Sequence, residues 1–431
     1  MKNVGIVSLG CAKNLIDSES ILGMFDTPSF EITSSPKEAD FIIVNTCGFI
    51  SSAKKESINT ILEMAKYDAK LIVVGCLVER YEGELKKELP EVDAFIPISS
   101  YSNLKEKLIE VTGINDILPF SSFRRVLSSS SYSAYLRISE GCDNFCSFCA
   151  IPYIRGRFKS RPFEEVIEEA KLLKEKGVKE ISLISQDTTI YGIDFPSKNP
   201  DIVDLLKSLE DIGFYSIRLL YLYPSEISLE LIKHIASSKQ IAHYFDIPVQ
   251  CASDHLLKLM NRHGDMAQMR KLFKDIKEIC PDAILRTTLI AGFPGENEED
   301  LEETKEFLNE VEFDHMGCFT YSREEGTASY SYPNQIKESI KKKRKDELMK
   351  LQQVISFRKA LSQVGKAFEG IVISSRLSDG TYMLRSTWNA PDEIDGNIYF
   401  KSDRDLAEGD IVKVKITSAF TYDLAGELIN E

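Results

Sequence analysis

The sequence predicts an α/β protein in three parts: an N-terminal parallel α/β domain, a central partial (β/α) barrel and a small C-terminal antiparallel β-barrel. Apolar runs recur at the spacing of strand–helix–strand units as far as about residue 320, which is typical of parallel sheets covered on both faces. From about residue 365 the pattern changes to short strands separated by turn residues, which predicts antiparallel structure. The length of 431 residues also favours about three domains.

The N-terminal domain is predicted over residues 1–130. Its three apolar runs, at 4–9, 41–44 and 71–74, are expected to be strands, and helical patterns begin near Asp17 and Ser52 between them. The serine-rich segment 128–133 is expected to be a linker to the next domain.

The central domain is predicted over residues 131–363. Six strand–helix units predict a partial barrel, short of the eight units that a closed barrel requires. The expected strands are 134–139, 180–185, 216–222, 243–248, 283–292 and 315–321, and the clearest helices are 163–176, 229–236 and 298–311.

The last part, residues 364–431, follows a charged amphipathic helix expected over 337–361. Turn signals at 378–380 and 408–410 indicate a small β-barrel. The helix carries the basic run 341–345. We interpret this run as a solvated helix face, and an RNA- or ribosome-facing patch is the alternative.

Composition limits the classes of function. The chain carries 53 Lys and Arg against 67 Asp and Glu, a formal charge of −14, which argues against a protein that coats nucleic acid and is compatible with a basic protein partner. The N-terminus lacks the pattern of a signal peptide, and no apolar window is long enough for a membrane span. We therefore expect a cytoplasmic protein, in which clustered cysteines bind metal or do redox work more often than they form disulfides.

Three of the nine cysteines, Cys11, Cys47 and Cys76, each follow a predicted strand of the N-terminal domain. Because parallel strands end at one edge of a sheet, three thiols distant in sequence are expected to converge there. The alternative is three buried cysteines that act as small apolar side chains. A structural zinc site would usually want a fourth ligand, and no further Cys or His is evident nearby.

A second set, Cys142, Cys146 and Cys149, lies within eight residues directly after a predicted strand. Ordinary iron–sulfur clusters take four thiolates. Three thiolates leave one iron without a protein ligand, which is the condition for chemistry at that iron.

The loop 142–149 resembles the CxxxCxΦC signature of the radical S-adenosylmethionine superfamily, with Phe148 in the aromatic position. The resemblance implies a 4Fe-4S cluster whose open iron chelates the amino and carboxylate groups of S-adenosylmethionine. Reductive cleavage would then give a 5′-deoxyadenosyl radical. A zinc knuckle or ferredoxin loop is the alternative, but the motif opens a region of six βα units, as in the partial barrel of the superfamily.

Further motifs follow the predicted strands, where a barrel presents its ligand-binding residues. Gln186 follows the second strand, Pro248-Val249-Gln250 the fourth and Gly292 the fifth. Glycine permits close backbone approach to a ligand, and Arg286 is suited to pair with a carboxylate. With Phe148, we predict Gln186, Arg286 and Gly292 as contacts of S-adenosylmethionine.

Over essentially its whole length the chain resembles the methylthiotransferase family, which joins an N-terminal cluster domain, a radical domain and a TRAM-type β-barrel. One branch of the family methylthiolates a tRNA adenosine, and the other an aspartate of ribosomal protein S-twelve (uS12). The chain resembles the second branch in residues 8–14 (SLGCAKN), 45–50 (NTCGFI), 139–143 (SEGCD), 186–192 (QDTTIYG) and 388–393 (WNAPDE).

The resemblance implies two clusters with separate tasks. The cluster on Cys142, Cys146 and Cys149 would cleave one S-adenosylmethionine, and the radical would abstract hydrogen from the aspartate β-carbon. A cluster on Cys11, Cys47 and Cys76 would hold a sulfur species that a second S-adenosylmethionine methylates. A flavodoxin or ferredoxin would supply electrons, and we name no catalytic residue beyond the cluster ligands.

Charge supports the protein-modifying branch. From residue 365 onward the chain carries seven Lys and Arg against twelve Asp and Glu, a net charge of −5. RNA affinity rests largely on basic side chains, whereas an acidic surface attracts a basic protein. An acidic surface kept for solubility is the alternative. The tRNA branch and, outside enzymes, an iron–sulfur electron carrier or a zinc-stabilised binding module remain rivals.

Three cysteines lie outside both sets. Cys251 stands where the protein-modifying branch is expected to have His and the tRNA branch Ser. We interpret it as a small substitute, and a spare thiol near the cofactor is the alternative. Cys280 precedes a proline and Cys318 lies in an apolar strand, so both are expected to be structural.

Overall fold

The computed structural model describes residues 1–128 and 130–429. Ser129, in the middle of the predicted serine-rich linker, lies outside the described residues. On its N-terminal side, Ser128 donates hydrogen bonds from its backbone and its hydroxyl group to Glu19. Within these residues, no helix combines the length and the apolar character needed to cross a bilayer.

The N-terminal part is a five-stranded parallel sheet in the order β2-β1-β3-β4-β5. The three predicted strands are confirmed as its central strands, and two three-residue edge strands were not predicted. Its elements are β1 (Lys2–Ser8), α1 (Ala12–Met24), β2 (Phe30–Ile32), β3 (Phe41–Thr46), α2 (Ser51–Met64), β4 (Lys70–Gly75), α3 (Cys76–Glu88), β5 (Ala94–Ile96) and α4 (Leu104–Thr112).

The central part contains all six predicted strands. They form two parallel three-stranded sheets, in the orders β10-β9-β6 and β11-β12-β13, and a parallel bridge between Ile217 and Ile241 joins them. Its elements are β6 (Ser133–Arg137), β7 (Ser139–Glu140), α5 (Ile151–Ile154), β8 (Lys159–Ser160), α6 (Phe163–Glu175), β9 (Glu180–Ile184), α7 (Ile202–Ile212), β10 (Ser216–Leu219), α8 (Leu229–Ser237), β11 (Tyr244–Asp246), α9 (Asp254–Leu259), α10 (Met266–Ile279), β12 (Ile284–Ala291), α11 (Glu298–Val311), β13 (His315–Thr320) and α12 (Glu338–Leu361).

The basic run on α12 is only partly solvated, and the interpretation of the whole run as a solvated face is wrong. Lys341 and Arg344 are buried. Lys341 donates from Nζ to the carbonyl oxygen of Tyr321 at 2.9 Å, and Arg344 forms ion pairs with Glu296 and Glu298. Residues three apart share a helix face, so these two anchor α12 while Lys342 and Lys343 remain exposed.

The C-terminal part is a closed five-stranded barrel in the order β14-β15-β16-β18-β17, which confirms the predicted small barrel, although its β16–β18 pair is parallel and not antiparallel. Its strands are β14 (Ala367–Val372), β15 (Thr381–Arg385), β16 (Ile398–Lys401), β17 (Ile411–Ala419) and β18 (Leu424–Leu428). Single 3₁₀ turns occur at Ile98–Asn103, Ser122–Arg124, Pro224–Glu226, Ala328–Ser331 and Pro391–Glu393.

The C-terminal barrel packs against the amino ends of the central strands. Arg385 pairs with Glu180, the first residue of β9, at 2.6 Å. The carboxylate of Asp395 accepts hydrogen bonds from Tyr244 and Arg286. The opposite, carboxyl ends of the central strands remain free to face the N-terminal domain.

Candidate metal centres

The first site gathers Cys11, Cys47 and Cys76 at the carboxyl edge of the N-terminal sheet. They follow β1, β3 and β4, which are neighbours in the sheet. A β-carbon on Gly10 would lie 2.8 Å from the β-carbon and 3.1 Å from the Sγ of Cys47. The backbone at Gly10 also has a φ of +93°, so glycine is what permits the first and second cysteine loops to approach each other.

Asn14 holds the loops of this site in place. Its Nδ2 donates to the carbonyl oxygens of Leu9 and Thr46, and its Oδ1 lies 3.5 Å from the Sγ of Cys76. One buried amide therefore touches all three cysteine loops. Asn14 was not predicted as a site residue, because an asparagine in the first turn of a helix gives no sign of such distant partners.

Burial keeps two thiols of this site protonated in the metal-free protein. It raises the pKa of Cys76 to about 12, although the nearby Arg155 guanidinium acts in the opposite direction. Burial also raises the pKa of Cys47. A metal or cluster that binds here must displace these protons, as thiolate ligation always requires.

The second site is the loop 142–149, which follows β7. The backbone N–H of Cys149 donates to the carbonyl oxygen of Cys146 at 2.9 Å, and that of Cys142 donates to Gly156 at 3.2 Å. The C-terminal end of α9 holds the loop in place. Ser147 donates from its hydroxyl group to the carbonyl of Leu259 and from its backbone N–H to that of Met260. The loop is thus folded on itself, and Cys142 and Cys146 lie close enough to Cys149 to act on its thiol electrostatically.

Arg262 is a neighbour of this loop that the sequence analysis missed. Its Nη1 lies 3.8 Å from the Sγ of Cys146, and its Nη2 donates to the carbonyl oxygen of Pro248 at 2.8 Å. The guanidinium also lies over the Tyr223 ring, 4.5 Å from its centroid.

Burial raises the pKa of Cys142 to about 11 and that of Cys149 to about 12.

Arg155 connects the two sites. It lies just after α5, six residues beyond Cys149, and is buried. Its Nη2 donates to Asn14 Oδ1 at 2.7 Å and to Asp17 Oδ2 at 2.9 Å, and lies 3.6 Å from the Sγ of Cys76. Its Nη1 lies 3.1 Å from Glu140, which directly precedes the second cysteine loop. The Arg155 side chain thus links Glu140, two residues before the radical loop, to Cys76 of the N-terminal site.

The predicted contacts of S-adenosylmethionine lie in different surroundings. Gln186 donates to Glu140 at 2.8 Å, next to the cysteine loop, and Phe148 packs edge-on against Phe293. Gly292 donates its N–H to Glu296 at 2.7 Å, and a β-carbon there would clash with Lys341.

Arg286 lies on the third residue of β12, away from the carboxyl end of that strand. It forms ion pairs with Asp246 and Asp395, so its guanidinium already has two carboxylate partners. The assignment of all four residues to the cofactor stays a prediction.

The donor sets fit iron–sulfur clusters. All six cysteines are free thiols, and sulfur-only sites suit iron–sulfur clusters or zinc. Each site has three cysteines, and a cluster held by three thiolates retains an iron for an external ligand. The remaining cysteines, Cys251, Cys280 and Cys318, are buried elsewhere in the packed interior.

Three family profiles match consecutive parts of the chain. The Radical SAM superfamily matches residues 136–308, the uncharacterized protein family UPF0004 matches residues 3–97, and the TRAM domain matches residues 364–429. No described helix or strand crosses residue 130 or residue 363, the predicted domain boundaries, which stay predictions.

Curated relatives match from end to end. The chain is 46% identical to ribosomal protein uS12 methylthiotransferase RimO of Acetivibrio thermocellus, over 100% of this chain and 99% of the relative. It is 47% identical to the RimO protein of Aquifex aeolicus, over 98% of this chain and 96% of the relative.

Among solved structures, the radical S-adenosylmethionine methyltransferase TsrM from Kitasatospora setae, with cobalamin and a [4Fe-4S] cluster bound, superimposes with a TM-score of 0.56. The match covers 92% of this chain and 87% of TsrM, at 11% identity. The cobalamin-dependent radical enzyme OxsB gives a TM-score of 0.51 over 82% of this chain and 56% of OxsB, at 13% identity. At such low identity these two structures support the fold alone.

Proposed function

Because the chain belongs to the RimO family of radical SAM methylthiotransferases, and is therefore a transferase, we propose that it methylthiolates the β-carbon of an aspartate in ribosomal protein uS12. The reaction would replace one hydrogen of that carbon with a methylthio group. It would consume two molecules of S-adenosylmethionine, one for the radical and one as the methyl donor.

The observation that carries the proposal is one buried side chain that links the N-terminal cysteine site to Glu140, two residues before the radical loop. Arg155 lies 3.6 Å from the Sγ of Cys76 and forms an ion pair with Glu140, beside the loop of Cys142. Sulfur transfer to a carbon radical requires the sulfur source and the radical source to reach the same substrate atom. A buried guanidinium that joins the N-terminal site to the residue preceding the radical loop supports such an arrangement.

The proposed ligands are Cys142, Cys146 and Cys149 for the radical cluster and Cys11, Cys47 and Cys76 for the auxiliary cluster. When bound, such clusters supply the electron that cleaves S-adenosylmethionine and a site for the sulfur to be transferred. The protein would contribute the three thiolates of each site and the cation near each, Arg262 and Arg155. Phe148, Gln186, Arg286 and Gly292 stay proposed contacts of S-adenosylmethionine.

The charge of the C-terminal barrel supports a basic protein substrate. One acidic residue of this barrel, Asp395, and one basic residue, Arg385, are buried against the central domain. Setting both aside leaves the net charge of the remainder at −5. A phosphate backbone would meet repulsion at this surface, whereas a basic ribosomal protein would be attracted.

A flavodoxin or ferredoxin is the proposed electron donor.

A substrate comparison tests the proposal. The enzyme, reconstituted anaerobically with iron and sulfide, is supplied with S-adenosylmethionine and a chemical reductant and offered uS12 or tRNA. We expect a methylthio group on a uS12 aspartate by tandem mass spectrometry, and none on tRNA. The variant with Cys142→Ala, Cys146→Ala and Cys149→Ala is the control that should modify neither. Modified tRNA with unmodified uS12 would show that the chain uses the substrate of the other branch.

A further inference from the structure

Lys13 is a buried cation in the space between the two cysteine sites. It lies on α1, two residues after Cys11, and only 8% of it is exposed. Its Nζ lies 3.9 Å from the centroid of the Tyr221 ring, which follows the carboxyl end of β10. The other ionisable groups whose field reaches this ammonium group are Cys11, Arg155, Glu140 and Asp246. Lys13 therefore faces both the auxiliary cysteines and the carboxyl ends of the central strands.

The other cations in this region already have carboxylate partners. Arg137 and Arg155 each form ion pairs with both Asp17 and Glu140, and Arg286 pairs with Asp246 and Asp395. In contrast, across residues 1–128 and 130–429 no carboxylate oxygen lies within 4.0 Å of Lys13 Nζ, and no hydrogen bond engages it.

Most of the Lys13 side chain is buried, while its ammonium nitrogen keeps some contact with solvent and is accessible to an anionic partner. The ring of Tyr221 offers a cation–π contact but no negative charge. Lys13 thus has a positive charge available to an anionic group from outside the chain.

We propose that Lys13 binds the side-chain carboxylate of the substrate aspartate and so selects an acidic residue for modification. The inference rests on the proposed function. An aspartate that places its β-carbon between the two sites brings its carboxylate, one bond away, into a region that already contains Glu140 and Asp246. An unpaired cation offsets that repulsion. Lys13 would then determine specificity, since an asparagine or a nucleobase offers no negative charge to it.

Binding measurements separate this role from a structural one. Reconstituted holoenzyme is titrated, without reductant, with uS12 carrying the natural aspartate or an aspartate-to-asparagine change at the modified position. We expect the natural enzyme to prefer the aspartate form about tenfold, as for one charge-assisted contact. Lys13→Met should bind both forms equally, with the affinity for the aspartate form reduced about tenfold. Lys13→Arg should retain the preference, and Lys342→Met, on an exposed face of α12, should behave as the natural enzyme.

Two readouts exclude other roles. If Lys13→Met keeps the preference for the aspartate form of uS12, Lys13 does not bind the substrate carboxylate. The same conclusion follows if the variant alters the electron paramagnetic resonance spectrum of the auxiliary cluster while its affinity for uS12 is unchanged. The proposed function is judged separately on the natural enzyme. If that enzyme modifies tRNA and not uS12, both the function and the role of Lys13 are overturned. If it modifies uS12 and only the Lys13 result fails, the function stands without this residue.

Discussion

The guanidinium of Arg155 lies 3.6 Å from the Sγ of Cys76, although 79 positions separate the two residues in the chain. Arg155 follows the radical cysteine loop, and Cys76 begins a helix of the N-terminal domain. The contact therefore couples the position of one cysteine site to that of the other. It is also buried, so its ion pairs to Asp17 and Glu140 lie in a region of low dielectric.

Replacing Arg155 should destabilise the link between the two domains. Arg155→Met leaves Asp17 and Glu140 with Arg137 as their one remaining ion-pair partner among the described residues, and breaking a buried ion pair from one side costs about 3–5 kcal/mol. We expect the midpoint of thermal unfolding to fall by about 10 °C. Arg157→Met is the matched control, because the Arg157 side chain is 73% exposed and its loss should change stability by about 0.5 kcal/mol or less. Equal midpoints for the two variants would contradict the role of Arg155.

The two cysteine sites should load independently. Anaerobic analysis of the reconstituted protein should find about eight iron atoms per chain, falling to about four when either set of three cysteines is changed to alanine. Loss of the radical set should also abolish cleavage of S-adenosylmethionine. Loss of Cys11, Cys47 and Cys76 should leave that cleavage in place while methylthiolation is lost.

Cys318→Ser serves as the control for iron content, since Cys318 is a buried thiol on β13 that belongs to neither cysteine set. It should retain about eight iron atoms. An unaffected rate of S-adenosylmethionine cleavage in the radical-set variant would contradict the assignment of that site.

Arg262 should raise the reduction potential of the radical cluster. Its guanidinium lies 3.8 Å from the Sγ of Cys146, and a nearby positive charge favours the more negative, reduced state of a cluster. In Arg262→Met the midpoint potential should become more negative, by tens of millivolts in order of magnitude. Arg270→Met, which removes a cation paired at the surface with Glu310, should leave the potential unchanged. A potential that moves in neither variant, or upward in Arg262→Met, would contradict this role.

The contact between the central domain and the C-terminal barrel should depend on pH. Burial opposes ionisation of Glu180, but Arg385 and Arg218 outweigh it and hold the pKa of Glu180 below its usual value. A carboxyl group whose folded pKa is lowered contributes stability above its unfolded pKa, about 4.3, and loses that contribution as pH falls through the folded value.

We therefore expect Glu180→Gln to cost about 3 kcal/mol of unfolding free energy at pH 7. The difference from the natural protein should shrink as pH falls below about 4.3, where the unfolded chain takes up the proton, and should be smallest once pH is below the lower folded pKa of Glu180. Thermal unfolding of both proteins across this pH range measures the effect. A difference that stays constant down to about pH 3 would show that the ion pairs with Arg218 and Arg385 do not stabilise the contact.

The placement of the cysteines could be predicted because it follows from local spacing. Cys11, Cys47 and Cys76 each follow a strand of one parallel sheet, and the ends of parallel strands share an edge. The six central strands were likewise visible as separate apolar runs. The short strands β2 and β5 were missed because three residues do not establish a period.

The partners of the cysteines could not be predicted, because they depend on contacts between distant segments. Nothing in the neighbourhood of Arg155 or Arg262 indicates that either will lie beside a thiol of another loop. The same holds for Asn14, whose three contacts arise only once the sheet has formed. The prediction for the basic run 341–345 was wrong for a different reason. Its composition indicates exposure to solvent, whereas the helical period places Lys341 and Arg344 together on the packed face.

Transfer of deuterium from uS12 to 5′-deoxyadenosine shows directly whether hydrogen is removed from an aspartate β-carbon of uS12. uS12 is prepared with deuterium on the β-carbons of its aspartates and incubated with the reconstituted enzyme, S-adenosylmethionine and reductant. We predict deuterium in the 5′-deoxyadenosine that is released, with methylthiolation of the same aspartate. Methylthiolated tRNA, with 5′-deoxyadenosine free of deuterium and uS12 unmodified, would contradict the account.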